Sequence, residues 1–183
     1  LLPAWYLELR FFKKVSLDDV ATIIFSSGSE GRPKGVELTH LNLIGNIKQC
    51  ESVLLPTAED VFLGSLPLFH AFGFSITTML CLVEGVPVAT CPDPTDARLV
   101  SRMCAQFKVS IMVATGTFLR MWGLNRAVHP LMFSHVRSIY AGAEKIREDV
   151  RQLYRNKFKL EIFEGFGCTE TTPVAAVNTK DVL

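Results

Sequence analysis

Residues 26–35 read Ser26-Ser27-Gly28-Ser29-Glu30-Gly31-Arg32-Pro33-Lys34-Gly35, directly after the apolar run Ala21-Thr22-Ile23-Ile24-Phe25. A short apolar run followed by a glycine-rich loop is a strand–loop unit. This loop carries three hydroxyls, three glycines and a lysine in ten residues. Glycines let backbone N–H groups converge on an anion, hydroxyls add short donors and lysine adds a point charge. Taken alone, the stretch also describes a flexible Gly/Ser surface turn. It is not a Walker A loop, which needs glycine before its lysine and Ser or Thr after it. Here Pro33 precedes Lys34 and Gly35 follows it. Proline removes a donor and biases Arg32 away from helix, so the loop is expected not to run straight into one.

Outward from this loop, short apolar runs alternate with helical periods. Ala21–Phe25 reads as a buried strand. Leu43, Ile44, Ile47, Cys50 and Leu54 recur at helical spacing, with Thr39 as a cap. Val61–Leu66 and Val86–Thr90 read as strands on either side of an apolar helix over Phe72–Val83. Asp93 is expected to cap a helix with Pro94 in its first turn and Leu99, Val100, Met103, Cys104 and Phe107 on its apolar face. Further strands are expected at Val109–Ala114, Val136–Tyr140, Leu160–Phe163 and Val174–Val177. Helices are expected at Phe118–Leu124 and through Ile146, Val150, Leu153 and Tyr154. This alternation predicts an α/β fold: a layered, mainly parallel sheet with helices on both faces.

In such sheets ligands sit at the carboxyl ends of the strands, and chemistry-bearing residues fall there repeatedly. The Ser/Gly loop follows the first strand. Pro67-Leu68-Phe69-His70 follows the second, and Thr115-Gly116-Thr117 follows the strand at Val109–Ala114. Ala141-Gly142-Ala143-Glu144 and Glu164-Gly165-Phe166-Gly167-Cys168-Thr169-Glu170 follow the next two.

Bulk composition bounds the partners. The chain has 183 residues, a hydrophobic share of 49% and a net charge of +1, which gives no global pull toward nucleic acid. Five cysteines are scattered without paired spacing, in keeping with reduced thiols rather than a disulfide or zinc framework. The longest apolar stretch, Ala71–Val83, is too short to span a bilayer. Residues 1–17 read as a connector, although Arg10, Lys13 and Lys14 beside Trp5, Tyr6, Phe11 and Phe12 could touch a membrane surface. Residues 18–183 read as one unit with no internal boundary. The chain opens on Leu1 rather than methionine and is expected to be a piece of a longer protein.

Each loop is weak evidence singly; together their order and spacing resemble the adenylate-forming (AMP-binding) enzymes, which include acyl-CoA synthetases, peptide-synthetase adenylation domains and luciferases. Within that superfamily the chain is similar to bacterial long-chain acyl synthetases. It is most similar to the acyl–acyl-carrier-protein synthetase part of 2-acylglycerophosphoethanolamine acyltransferases, ahead of a free-standing fatty acyl-CoA ligase. The resemblance covers the chain from about Asp18 onward and implies part of the large N-terminal domain of such an enzyme.

The reaction implied is attack of a fatty-acid carboxylate on the α-phosphate of ATP. The acyl-AMP so formed passes its acyl group to the thiol of coenzyme A or an acyl-carrier protein. By this resemblance Ser26, Ser27, Gly28, Ser29 and Gly31, with Lys34, hold the β- and γ-phosphates. Thr169 donates to the α-phosphate and Glu170 holds Mg²⁺. Gly142, Ala143 and Glu144 line one face of adenine, and Phe166, flanked by Gly165 and Gly167, stacks on the other. Glu164 meets the adenine amino group. His70 sits near the carboxylate, with Phe72 and Phe74 walling the acyl pocket. Without the resemblance, Glu144 and Glu170 read as helix-start carboxylates favoured by the dipole, and His70 and Phe166 as core.

Phe166 stands where the family usually has tyrosine, and Glu30 replaces a more common Thr or Ser. The family's ribose motif, hinge and carboxyl-terminal lysine domain are not in the sequence, so the chain alone is expected to be inactive. The implied setting is the cytoplasm, at the inner face of the bacterial membrane, in phospholipid acylation or fatty-acid metabolism. The alternative is a non-enzymatic nucleotide- or acyl-binding module that retains the scaffold.

Overall fold

The structure is a computed structural model that describes residues 2–12, 14–26 and 32–179. Its centre is a six-stranded sheet in the order β4-β3-β5-β6-β7-β8. The strands are β3 (Phe62–Gly64), β4 (Val88–Thr90), β5 (Ile111–Ala114), β6 (Ser138–Ala141), β7 (Ile162–Gly167) and β8 (Val174–Val177). Every pairing is parallel except β7 with β8, so the mainly parallel sheet expected from the sequence is present. β5 is buried at all four positions, which is why it reads as an unbroken apolar run rather than an alternating one.

Helices cover both faces. Leu63, Met112, Ala114, Ile139, Ala141 and Ile162 pack against α5 (Ala97–Gln106), α6 (Gly116–Leu124) and α7 (Glu148–Phe158). Phe62, Ile111 and Val113 pack on the other face against α2 (His40–Leu54) and the apolar helix over 71–84. That helix is α-helical in α3 (Ala71–Phe74), π-helical over Ser75–Leu80 and α-helical again in α4 (Cys81–Glu84). Trp122 and Tyr154 are fully buried; the Trp122 Nε1–H donates to the Pro94 carbonyl at 2.7 Å and the Tyr154 hydroxyl to the Leu119 carbonyl at 3.0 Å. Their polar ends are therefore satisfied where burial would otherwise penalise them.

The run Ala21–Phe25 is not a buried strand of this sheet. It forms β1 (Val20–Ser26), which pairs antiparallel with β2 (Lys34–Thr39) in a separate two-stranded hairpin. Ile23 and Phe25 are 52% and 72% exposed, and Ile24 alone in β1 is buried. The Ser/Gly loop is thus a hairpin connection, and it leads into a strand as Pro33 implies. β2 alternates, with Val36 and Leu38 turned to the small core that Leu43 and Ala71 complete. α2 begins immediately after it. The Thr39 hydroxyl accepts the Asn42 N–H at 3.2 Å and the Asn42 side chain accepts the Thr39 N–H at 3.0 Å, a reciprocal cap.

A second correction concerns α5. Its cap is Asp96, which accepts the N–H groups of Arg98 and Leu99, both at 3.0 Å. Asp93 instead closes a turn onto Thr95. Two aspartates three residues apart both satisfy the sequence rule; Pro94 pushed the expectation one turn too early. Ahead of the hairpin, α1 (Ala4–Phe11) has no buried residue. Among the described residues no helix is long and apolar enough to cross a membrane.

Two contacts fix the loop ends. Gly73 in α3 sits against the backbone of Pro67, and a Cβ there would collide with the Pro67 carbonyl, so Gly73 sets the path of the Pro67–His70 loop. Asp60, 4% exposed, receives Arg137 Nε and Nη2, each at 2.8 Å, and the Ser110 hydroxyl at 2.6 Å. This network ties the entry of β3 to the entries of β5 and β6. The Arg137 guanidinium holds the Asp60 carboxyl well below the usual carboxylate range, helped by Ser110 and the Thr57 N–H.

Gly73→Ala is expected to cost about 2 kcal/mol, read as a lower urea midpoint. Asp60→Asn is expected to cost about 2 kcal/mol at pH 7, less than a fully buried pair because Arg137 keeps some solvent. A depressed carboxylate stabilises the fold above its unfolded value and loses that contribution as pH falls toward its folded one. The stability gap between wild type and Asp60→Asn should therefore narrow below about pH 4, which chemical unfolding across pH 2.5–7 will show.

Candidate functional site

The register of the central strands builds the site. Ala114 lies opposite Ala141, and Ala141 opposite Glu164. The three segments that follow, Thr115-Gly116-Thr117 at the start of α6, the Gly142-Ala143-Glu144 loop and Gly165-Phe166-Gly167 at the end of β7, therefore begin at one level. In front of them lies a cleft lined by Gly142, Ala143, Gly165, Phe166, Gly167 and Thr169 at its rim. Cys50, Leu54, Phe72, Ile76, Val113 and Tyr140 line its depth, and His70 stands at the cleft as well. Among the described residues that line it there is no Asp, Glu, Lys or Arg.

The rim is backbone-rich. Gly142 is buried, and a Cβ on it would lie 3.2 Å from the Gly165 carbonyl and 3.4 Å from the Phe72 ring. Ala143 takes a left-handed backbone, φ 66°, which costs a non-glycine residue about 1–2 kcal/mol. Phe166 is 72% exposed, so its ring is open to a stacking partner, as the sequence reading requires. A second cleft, which Phe166 also lines, is bounded by Ala143, Glu144, Lys145, Glu164, Ala176 and Asn178.

Two predicted contacts are spoken for by the protein itself. The Glu144 carboxylate accepts the Thr117 N–H at 2.6 Å and the Thr117 hydroxyl at 3.0 Å. The Thr117 N–H foremost holds its pKa below the ordinary value. Glu144 thus serves the amino end of α6, a helix other than its own, while its backbone stays beside the cleft. Glu164 likewise accepts the Ile146 N–H at 2.6 Å and pairs with Arg151 at 2.5 Å. Its side chain braces the Gly142–Ile146 segment. The sequence gives no sign of Arg151's role, since a helical arginine carries no local signal of its partner.

The last motif sits in the turn between β7 and β8. Thr169–Thr171 forms one 3₁₀ turn. The Thr171 Oγ1 accepts the Cys168 N–H at 3.1 Å and donates to the Pro173 carbonyl at 2.5 Å. A Cβ at Gly167 would collide with that same Pro173 carbonyl, so glycine is required where the strand enters the turn. Thr169 is half-buried and faces the cleft, while Glu170 is exposed.

Lys34 and Ser26 are paired across the mouth of the hairpin, and β2 lies against the Thr169–Thr171 turn. The structure therefore brings the hairpin to the same region as Thr169 and Glu170. Ser27, Gly28, Ser29 and Gly31 lie outside the described residues. His70 is exposed and precedes the first turn of α3.

Comparison with known proteins agrees with this geometry. The profile of the family described as AMP-binding enzyme matches residues 7–182. A probable 4-coumarate–CoA ligase 3 of Dictyostelium discoideum is 31% identical over 169 residues, 90% of this chain and 30% of that protein. A long-chain-fatty-acid–CoA ligase of Salmonella typhimurium is 24% identical over 172 residues, 92% of this chain and 31% of that protein. MatB of Rhodopseudomonas palustris shares the fold at 23% identity. Its apo crystal structure gives a TM-score of 0.83 over 94% of this chain and 34% of that one. Its ATP-bound structure gives 0.79 over 91% and 32%. The chain spans about 30% of the length of the curated relatives it matches. Its ordered motifs, its parallel sheet and the profile match over nearly its whole length agree: the chain belongs to the AMP-binding, adenylate-forming enzyme family.

Proposed function

We propose that the full-length protein adenylates a carboxylic acid with an apolar chain. The acid's carboxylate attacks the α-phosphate of ATP, pyrophosphate leaves, and a thiol then takes the acyl group from the acyl-AMP as AMP departs. The observation that carries this reading is the cleft, whose apolar depth and charge-free lining open onto a rim of backbone groups and the Thr169 hydroxyl. Two anionic reactants must meet there, so the protein's task is charge neutralisation and alignment.

In this reading adenine lies between the Gly142–Ala143 backbone and the exposed Phe166 ring. Thr169 donates to the α-phosphate. Ser26 and Lys34, paired at the mouth of the hairpin, face the outer phosphates. Glu170 is the carboxylate for Mg²⁺. A single open carboxylate suits this ion, which completes its shell with water and phosphate oxygens. Among the described residues no cluster of three ligating side chains offers an all-protein cage. When bound, the ion neutralises phosphate charge. His70 faces the acid's carboxylate.

The acid we favour is a long-chain fatty acid, in keeping with the apolar depth of the cleft and with the Salmonella relative's name. The acceptor in this reading is coenzyme A or the pantetheine of an acyl-carrier protein, and the setting we propose is the cytoplasm. A planar aromatic acid is the second reading, favoured by the rings of Phe72, Tyr140 and Phe166 along the cleft and by the Dictyostelium relative.

Thr169→Ala and Glu170→Gln in the full-length protein are each expected to lower acid-dependent ATP–pyrophosphate exchange about 10²-fold, the usual effect of losing one preorganised donor or charge. Unchanged exchange in both variants would overturn the assignment, and ATP binding without exchange in the wild type would favour a non-enzymatic module. Across a panel of acids, kcat/KM should rise about fourfold per added methylene until the cleft is filled. A maximum on 4-coumarate would replace the fatty acid with the aromatic one.

A further inference from the structure

α2 carries one polar residue within its buried stripe. Asn46 is 7% exposed and stands between Leu43, Ile47 and Cys50. Its Nδ2 donates to the Val174 carbonyl at 2.8 Å and to Gln49 Oε1 at 3.2 Å. Its Oδ1 accepts the Val174 N–H at 3.2 Å and the Cys50 thiol at 3.9 Å. Every donor and acceptor of the amide is used. The two bonds to Val174 copy what a neighbouring strand would offer β8 on its open edge. Val174 pairs with Gly167 on the other side, so it is gripped from both sides. It is also where the chain emerges from the Thr169–Glu170 turn.

The hairpin makes no hydrogen bond to the six-stranded sheet among the described residues. It is continuous with α2 through Thr39. Among the described residues Asn46 supplies the only hydrogen bonds between α2 and that sheet. An apolar side chain would fill the same space without setting a register; a two-point amide bond sets both distance and direction.

We propose that Asn46 is a positioning residue that locks the Ser26/Lys34 hairpin to the Thr169–Glu170 turn, aligning the two halves of the phosphate site. This rests on the adenylation reading above. The test uses the full-length protein with Asn46→Leu, which keeps the volume and loses both bonds, and Asn46→Asp, which keeps the acceptor and sets a second oxygen against the Val174 carbonyl. Lys48→Ala is the control, because it removes the tie from α2 to Glu84 without touching β8.

ATP–pyrophosphate exchange should show kcat about 10²-fold lower in both Asn46 variants, as expected for misplaced reacting groups, with KM for ATP within threefold. Lys48→Ala should keep kcat within twofold. Independently, deuterium uptake at the amides of residues 168–174 should accelerate about tenfold in both Asn46 variants. Asn46→Asp carries the test if Asn46→Leu does not fold. Undiminished kcat in a folded Asn46 variant, equal loss in Lys48→Ala, or unchanged uptake at 168–174 would each overturn the proposal. Absence of exchange in the wild type would overturn the adenylation reading instead, while the uptake measurement still decides whether Asn46 holds the turn.

Discussion

Ala114, Ala141 and Glu164 sit side by side in three parallel strands, and everything at the site hangs on that register. Parallel strands run in one direction, so the loops after β5, β6 and β7 all open toward the same edge. A one-residue slip of β7 would turn Glu164 away from Ile146 and Arg151 and move Phe166 off the cleft, because side chains alternate with period two. The register is in turn secured by burial: β5 is enclosed on both faces, and Ile139 in β6 and Ile162 and Phe163 in β7 are almost without exposure. The core is thus what sets the geometry of the rim.

Charge is distributed to match. Three acidic side chains lie in the motifs beside the cleft, and two of them are engaged. Glu144 is held by the Thr117 N–H and hydroxyl, and Glu164 by the Ile146 N–H and the Arg151 guanidinium. Glu170 is the one left open to solvent. A site for a polyanion cannot carry several free carboxylates without strong repulsion. Committing two of them to helix and loop N–H groups keeps their structural value and leaves the rim to neutral backbone donors. The same economy explains why adenine recognition falls to Gly142, Ala143 and an aromatic ring rather than to charged side chains.

Much of this was legible in the sequence, for identifiable reasons. The α2 helix announces itself through Thr39 and its apolar spacing, and β5 through an unbroken apolar run. The order of the loop motifs carries the family. What the residues could not show was partnership. Ala21–Phe25 has the composition of a core strand, yet its partner is the alternating segment Lys34–Thr39, and a two-stranded hairpin leaves Ile23 and Phe25 outside. Asp93 and Asp96 are equivalent by capping rule, and the three-dimensional path after Cys91 chooses between them. Glu164 is paired with Arg151, which reaches it from a helix that no local pattern links to β7. Asn46 had a signal that was open to reading: a polar residue inside an apolar helical stripe must find a partner or pay for burial. Its partner lies 128 positions away, which no spacing rule reaches.

The hairpin and the sheet are separate hydrogen-bonded bodies, and the phosphate-facing residues are divided between them. Ser26 and Lys34 belong to the hairpin; Thr169 and Glu170 belong to the end of the sheet. Apolar packing of Ile24 and Leu38 with Leu43 and Ala71 holds the hairpin against α2 and α3 but tolerates small slides, because dispersion and burial are nearly indifferent to direction. Transfer at phosphorus is not indifferent: misplacement by about an ångström is costly. A fold that divides its anion site in this way needs at least one directional tie across the divide, and the hydrogen-bonded contact from α2 to β8 meets that need.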